Sequence, residues 1–280
     1  MDSRVAAIQA GLVRGRIEFR HNAGQAFSYI FFPVIALIIL HFLSSRNVSD
    51  TDTSIGTWAI PGVLAMNVVF TGLVGLAMAL IMERDDGTLL RAKATPNGVL
   101  GYLTGKVAGQ ATMSIATLLI VLIPASFLFD GLHLGSVSPW MKLAGVLILG
   151  MAATLPFGAI LGSLFINPRN FRFVTLLFMG LVGISGVFYP LTTLPPWVQW
   201  IGQAFPLYWI GLGMRSAILP DALSDAESGA SWHHVEMISV LGAWAIIGFV
   251  TAPAVLRRMA RRESGTRLAT SNETSLKRST

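Results

Sequence analysis

The chain has 280 residues, 53% of them apolar and only 12% charged, with a mean hydropathy of +0.65 and a formal net charge of +6. A soluble domain carries roughly 25% charged residues, so a cytosolic globule of this composition would lack the ionic surface that keeps it dissolved, and general disorder is excluded by the same apolar content. Cysteine is absent, which excludes disulfides, thiolate metal sites and cysteine nucleophiles.

The first segment, 1–22, places Val5, Ile8, Leu12 and Phe19 in one arc of a helix, with Arg4, Arg14, Arg16 and Arg20 spread along it. That long spread of positives differs from the short charged region of a cleavable signal peptide. It predicts a helix lying on the cytoplasmic interface.

Six apolar stretches follow, at about 27–43, 57–82, 107–129, 143–166, 173–191 and 237–256, and none contains an internal Asp, Glu, Lys or Arg. Each approaches or exceeds the roughly 17–25 residues that cross a ~30 Å hydrocarbon layer. Lipid cannot hydrogen-bond backbone groups, so helix is the natural form of such runs. Pro33, Pro61, Pro124, Pro156 and Pro253 predict kinks or ends within them. Gly101, Gly105 and Gly109, and again Gly158 and Gly162, are spaced to let two helices approach closely. Asn67, Thr71, Thr112, Ser114, Thr117, Ser163 and Ser185 are expected to hydrogen-bond between helices.

Trp197–Leu219 is a seventh apolar candidate, but it contains Gln199, Gln203, Pro206 and Arg215. Charge decides against a crossing. With six crossings and the N-terminus inside, every Lys and Arg except Arg46, Lys142 and Arg215 lies on the cytoplasmic side. A seventh crossing would translocate the Arg-rich end. Trp197–Leu219 is therefore expected as a re-entrant or interfacial helix pair on the outer side. Its aromatic residues Trp197, Trp200, Tyr208 and Trp209 suit the headgroup level. Residues 259–280 read as a basic, disordered cytoplasmic tail, and Arg257, Arg258, Arg261 and Arg262 read as a stop-transfer anchor. The fold class is thus an all-α integral membrane protein of six transmembrane helices over residues 23–258. Both termini are cytoplasmic.

The most informative polar segment follows the second stretch: Glu83-Arg84-Asp85-Asp86-Gly87-Thr88-Leu89-Leu90-Arg91-Ala92-Lys93-Ala94-Thr95-Pro96. It reads as a turn feeding a short cytoplasmic helix, with Thr88 as a cap and Pro96 as the stop. A helix presenting Leu89, Leu90 and Ala92 among charges can dock on another protein; a plain connecting loop is the competing reading.

The segment resembles the signature of ABC-2 type transporter permeases, in which Glu-Arg-x-x-Gly-Thr-Leu-x-Arg leads to Thr-Pro. A second resemblance is Phe188-Tyr189-Pro190-Leu191, then Leu194-Pro195-Pro196-Trp197-Val198-Gln199, then Phe205-Pro206-Leu207 and Arg215. It is similar to the outer segment of that family, and the likeness is to drug-efflux members of the daunorubicin-resistance kind. The resemblance implies a permease subunit of an ABC exporter in the bacterial plasma (inner) membrane, crossing it several times. It implies contact with the ATPase through Glu83, Arg84, Gly87, Thr88, Leu89, Arg91, Thr95 and Pro96. An outer gate would be formed by Pro190, Leu194, Pro195, Trp197, Pro206 and Arg215. Implied partners are two copies of an ATP-binding subunit, a second permease (identical or related) and membrane lipids, with no nucleic acid. Asp85-Asp86 and Leu90 depart from the usual family residues, which leaves the individual ATPase contacts open.

No cofactor is expected in this chain; ATP and magnesium would belong to the partner ATPase. A phosphate-binding loop needs Gly-x4-Gly-Lys-Ser/Thr. The nearest match ends Gly105-Lys106, but has Leu100 for the first glycine and Val107 for the hydroxyl residue. His233, His234 and Glu236 form the best metal-like group, but a site needs about three or four ligands of matched geometry and the chain offers these no obvious partner. The absence of ionisable residues within the crossings argues against a proton-coupled exchanger. The expected function is export of a drug, antibiotic or similar hydrophobic or amphipathic small molecule. A lipid or lipid-linked glycan is the alternative cargo, and an ion-driven transporter or a lipid-modifying enzyme stands further off.

Overall fold

The structure is a computed structural model. It describes residues 23–44, 54–85, 98–165, 167–227 and 231–255. The expected interfacial helix over 1–22 and the tail over 259–280 lie outside them. The described elements are all helical, as an apolar chain in lipid requires. They are α1 (Ala23–Leu43), α2 (Ile55–Val69, continuing through a π-helical stretch Phe70–Gly75 into Leu76–Asp85) and α3 (Gly98–Leu128). After these come α4 (Val137–Leu164), α5 (Pro168–Ile184), a 3-10 turn at Leu191–Thr193, α6 (Pro196–Ala204) and α7 (Pro206–Ile218). A second 3-10 turn, Asp221–Ala226, precedes α8 (His234–Val255).

Four segments are long and apolar enough to cross a membrane: Ile55–Glu83, Gly101–Leu128, Val137–Leu164 and His234–Val255. The apolar part of α1, Pro33–Phe42, and the 17-residue α5 are shorter. The prolines do not end the helices: Pro33, Pro61, Pro124 and Pro156 all lie inside them.

Local sequence sets the ends. The Thr57 amide donates to Ser54 Oγ at 3.1 Å and caps α2. The Arg169 amide donates to Asn167 Oδ1 at 2.9 Å and caps α5, with Pro168 in its first turn. Pro196 and Pro206 open α6 and α7 in the same way. Phe205 is extended, at φ −104° and ψ 150°, as a residue before proline prefers. That splits Trp197–Leu219 into two helices, each too short to cross. α5 stops at Ile184, whereas the apolar run continues to Leu191. The Ser185 hydroxyl donates to the Val182 carbonyl at 2.8 Å, and Gly186 turns the chain at φ 63°.

α2 and α4 form the closest pair. Gly150 lies beside Val68, Gly158 beside Gly72 and Gly162 beside Ala77, so contacts advance along both helices in the same direction. A Cβ on Gly158 would collide with the Gly72 carbonyl oxygen, and one on Gly72 with Thr154 Oγ1. The π-helical stretch falls at this contact. Gly109, by contrast, faces open space. The whole of α7, Pro206 to Ile218, is buried, packed on α2 and α4, with Gly150 making room for Ile210 and Gly213 facing Val146 and Met237.

The mild polar residues behave differently from expectation. Thr112, Thr117 and Ser185 hydroxyls donate to carbonyls of their own helices, at 2.8 Å in each case. Short side chains reach the preceding turn before they reach a neighbour. Asn67 Oδ1, Thr71 Oγ1 and Ser114 Oγ are buried with no hydrogen-bond partner among the described residues.

The glycine contact generates a test. Gly158→Leu should destabilise the protein by about 1–3 kcal/mol or more, the usual result of overpacking. Gly145→Ala, on the same helix but facing open space, should leave the melting midpoint of the detergent-solubilised protein unchanged. Equal midpoints for both variants would contradict the packing described.

Candidate functional site

Polar contacts gather at the two ends of the bundle. At one end meet the start of α2, the turn after α3, the end of α7 and the start of α4. Thr57 Oγ1 donates to the Asp130 carbonyl at 3.0 Å, the His133 amide to the Ile218 carbonyl at 2.9 Å, and Lys142 Nζ to the Ser216 carbonyl at 3.3 Å.

Arg215, near the end of α7, is the centre of this region, with a side chain fully shut off from solvent. Its Nη1 donates to the Val187 carbonyl at 3.2 Å and lies 3.5 Å from the Gly186 carbonyl. Its guanidinium carbon stands 5.6 Å from the Trp58 ring centre, a cation–π contact. Its Nε forms an ion pair with Glu227, whose side chain is equally buried. The pair ties α7 to the segment before α8 while the carbonyl contacts tie α7 to the break after α5. An isolated charge in such surroundings costs several kcal/mol, so each partner makes the other tolerable. A planar fork that reaches carbonyls, a carboxylate and a ring at once suits Arg, not Lys.

Glu227 was missing from the sequence candidates. The available signal was indirect: Arg215 is the only charged residue in Trp197–Leu219, and a charge in an apolar helix calls for a counterion. Nothing in the spacing identified which acid supplies it.

The six outer-gate candidates do not form one cluster. Pro190 precedes the first 3-10 turn, the Leu194 carbonyl accepts from Gln199 Nε2 at 2.7 Å, Pro195 caps α6 and Trp197 is exposed. Pro206 opens α7 nine residues before Arg215, roughly 13 Å away along the axis at the helical rise. It sits at the turn between α6 and α7, where the Trp244 Nε1 donates to the Ala204 carbonyl at 3.0 Å and the Trp244 ring stands 4.8 Å from Phe157. Trp244 lies in the middle of α8, so this turn reaches deep into the bundle. Trp197 and Trp200 are exposed, as an interfacial position requires, but Tyr208 and Trp209 are buried. Trp209 Nε1 donates to the Gln203 carbonyl at 2.7 Å.

At the opposite end, Glu83 sits in the last turns of α2. It accepts a hydrogen bond from Tyr102 Oη at 2.5 Å and forms an ion pair with Lys106 Nζ. Tyr102 and Lys106 lie four apart on α3 and so share one face. Both are buried. Arg84 continues α2, and its side chain lies outside the described residues, as do Gly87, Thr88, Leu89, Arg91, Thr95 and Pro96. Both flanks of the signature segment are therefore clamped together: α2 through Glu83, α3 through Tyr102 and Lys106. Gly105 and Lys106 lie inside α3, not in a loop where backbone amides could surround a phosphate. His233 Nδ1 lies 3.4 Å from Glu236 Oε1, and among the described residues no three His, Cys, Asp or Glu gather as metal ligands.

Comparison with known proteins agrees with the motifs. The family model described as ABC-2 type transporter matches residues 6–219. The Bacillus subtilis (strain 168) protein named "Putative transport permease YvfS" is 20% identical over 190 residues, covering 66% of this chain and 76% of that protein.

The buried pair makes a quantitative prediction. Arg215→Met should destabilise the protein by about 3–5 kcal/mol, because it strands the Glu227 charge. Adding Glu227→Leu should recover most of that loss. Melting in detergent checks this; a double variant as unstable as the sum of the singles would contradict the pairing.

Proposed function

The chain belongs to the ABC-2 type transporter family of membrane permeases, and we propose that it is the membrane subunit of an ATP-driven exporter of hydrophobic or amphipathic small molecules. In this reading it works with a second permease and two copies of a separate ATP-binding subunit, in a bacterial plasma membrane. ATP and magnesium, held by the partner, supply the energy of the cycle. This chain binds and orients, and excludes water; none of its residues makes or breaks a covalent bond.

The observation that carries the reading is the Glu83–Tyr102–Lys106 clamp. Its Glu83 opens the segment that the resemblance assigns to the ATPase, and Tyr102 and Lys106 stand just beyond that segment's end. Joined helices respond together, so a push on residues 86–97 moves α2 and α3 as a unit. α2 also grips α4 through Gly72 and Gly158, and α7 packs against both. Motion started at the cytoplasmic end thus has a continuous packed route to Arg215 at the other. The α6–α7 pair, which enters and returns at that end, is the outer re-entrant element that caps the path. α1 and α5 complete six crossings, with both termini cytoplasmic. The apolar interior suits apolar cargo: among the described residues the charged groups of the long helices, Glu83, Lys106, Lys142 and Glu236, sit towards their ends, not midway where they would hold an ion.

Reconstitution of the chain with its ATP-binding subunit tests this. Transport of a hydrophobic dye should require ATP and persist without a proton gradient. Glu83→Ala should lower transport at least about tenfold, a loss of ~1.4 kcal/mol in coupling, with ATP hydrolysis retained. Transport driven by a proton gradient without nucleotide would overturn the proposal. Topology has its own check: in this cysteine-free chain, Ser224→Cys should react with an impermeant maleimide from outside, and Ser264→Cys should not.

A further inference from the structure

A cavity of about 840 Å³ lies between α4, α5 and the α6–α7 turn, with Trp244 of α8 at one side. Its size falls within the about 300–1,000 Å³ of small-molecule sites. Its wall is hydrocarbon nearly throughout. The polar groups on it are already engaged: the Thr154 hydroxyl donates to the Gly150 carbonyl at 2.9 Å, and the Trp244 indole to Ala204. Water entering it would find no partner, so an aqueous filling is unfavourable. Left empty, the wall atoms would forfeit dispersion contacts.

Shape narrows the occupant. Lining residues run along α5 from Phe173 to Ile184, roughly 16 Å at the helical rise. One leaflet of a ~30 Å hydrocarbon layer has about the same depth. The space opens sideways, because Phe173, Leu176 and Leu177 on α5 are 63%, 70% and 77% exposed while also lining it. α8, which supplies Trp244, continues as an exposed apolar face at Ile246, Phe249 and Val250. In a chain with four crossing-length helices, such a mouth opens on hydrocarbon.

We propose that this cavity is a binding site for one acyl chain of a bilayer lipid, which enters laterally past α5 and lies along it between α4 and the α6–α7 turn. The site goes beyond the exporter reading and does not depend on it. An acyl chain here touches three elements at once: Val69 and Leu73 at the π-helical stretch of α2, Phe157 on α4, and Pro206 at the α6–α7 turn. Lipid composition would then bias the position of the turn, whatever the cargo.

Gly180 provides the probe. It lines the cavity, and a Cβ there meets no atom within 4 Å. A larger side chain at 180 fills the space without displacing backbone. The full chain, in phosphatidylcholine vesicles with a trace of lipid bearing a diazirine on its acyl chain, is irradiated without nucleotide. Adducts are mapped by mass spectrometry. The expected result is saturable labelling of α4 near Phe157 and of α5 near Leu177, lost in Gly180→Phe and kept in Gly180→Ala. Labelling of Ile246–Val250 should be unchanged in both and serves as the folding control. Labelling at the cavity that rises linearly with lipid and survives Gly180→Phe would overturn the proposal, since it reports bulk contact. Disulfide formation between two Leu177→Cys copies in place of lipid adducts would also overturn it, since a second copy then covers the mouth. Loss of ATP-driven transport with labelling intact would count against the exporter reading alone.

Discussion

Everything else in this bundle rests on the contact between α2 and α4. Lipid tails are as apolar as leucine, so no hydrophobic drive pulls helices together within a membrane; close packing has to do it. Gly158 allows the α4 backbone to meet the Gly72 carbonyl, and Gly72 leaves room for Thr154. The π-helical stretch Phe70–Gly75 coincides with this contact. Such stretches recur at functional positions because they alter the helical register locally. The α2–α4 pair is also the surface on which α7 lies buried, so the polar region around Arg215 inherits its position from a contact between glycines.

Among the described residues, buried charge gathers at two ends of the bundle, and at each end it is shared between elements. Arg215 gathers the carbonyls after α5, the ring of Trp58 and the carboxylate of Glu227. Glu83 gathers Tyr102 and Lys106. Between them the described helices present mostly hydrocarbon, with short polar side chains such as Thr71, Ser114 and Thr154. A buried charge that meets three elements at once resists their separation, because a displaced partner leaves an unpaired charge behind. Between the two ends, beside the short α5, lies the apolar cavity.

Much of this was legible in the sequence, and the reasons for the rest are specific. The long apolar runs became helices because lipid offers the backbone no alternative. Helices α3 and α4 begin earlier than the runs, at Gly98 and Val137, since Tyr102, Lys106 and Lys142 are polar yet helical; hydropathy sees the lipid-facing core of a helix and misses its ends. The end of α5 was misjudged because Val187 and Phe188 are apolar, while the break at Ser185–Gly186 is held from a distance by Arg215. Proline chemistry did mark the split between α6 and α7. Glu227 was illegible for the same reason as the α5 end: its partner is chosen by tertiary folding. The coupling candidates from Gly87 to Pro96 lie outside the described residues, and only Glu83 among them shows its contacts.

The central claim is that an ATP-binding subunit works on this chain through the segment between α2 and α3. A photo-reactive amino acid at Leu90, in the assembled complex, tests it most directly. The cross-link should join this chain to the ATP-binding subunit. Cross-links confined to this chain or to lipid, in a complex that still hydrolyses ATP, would contradict it.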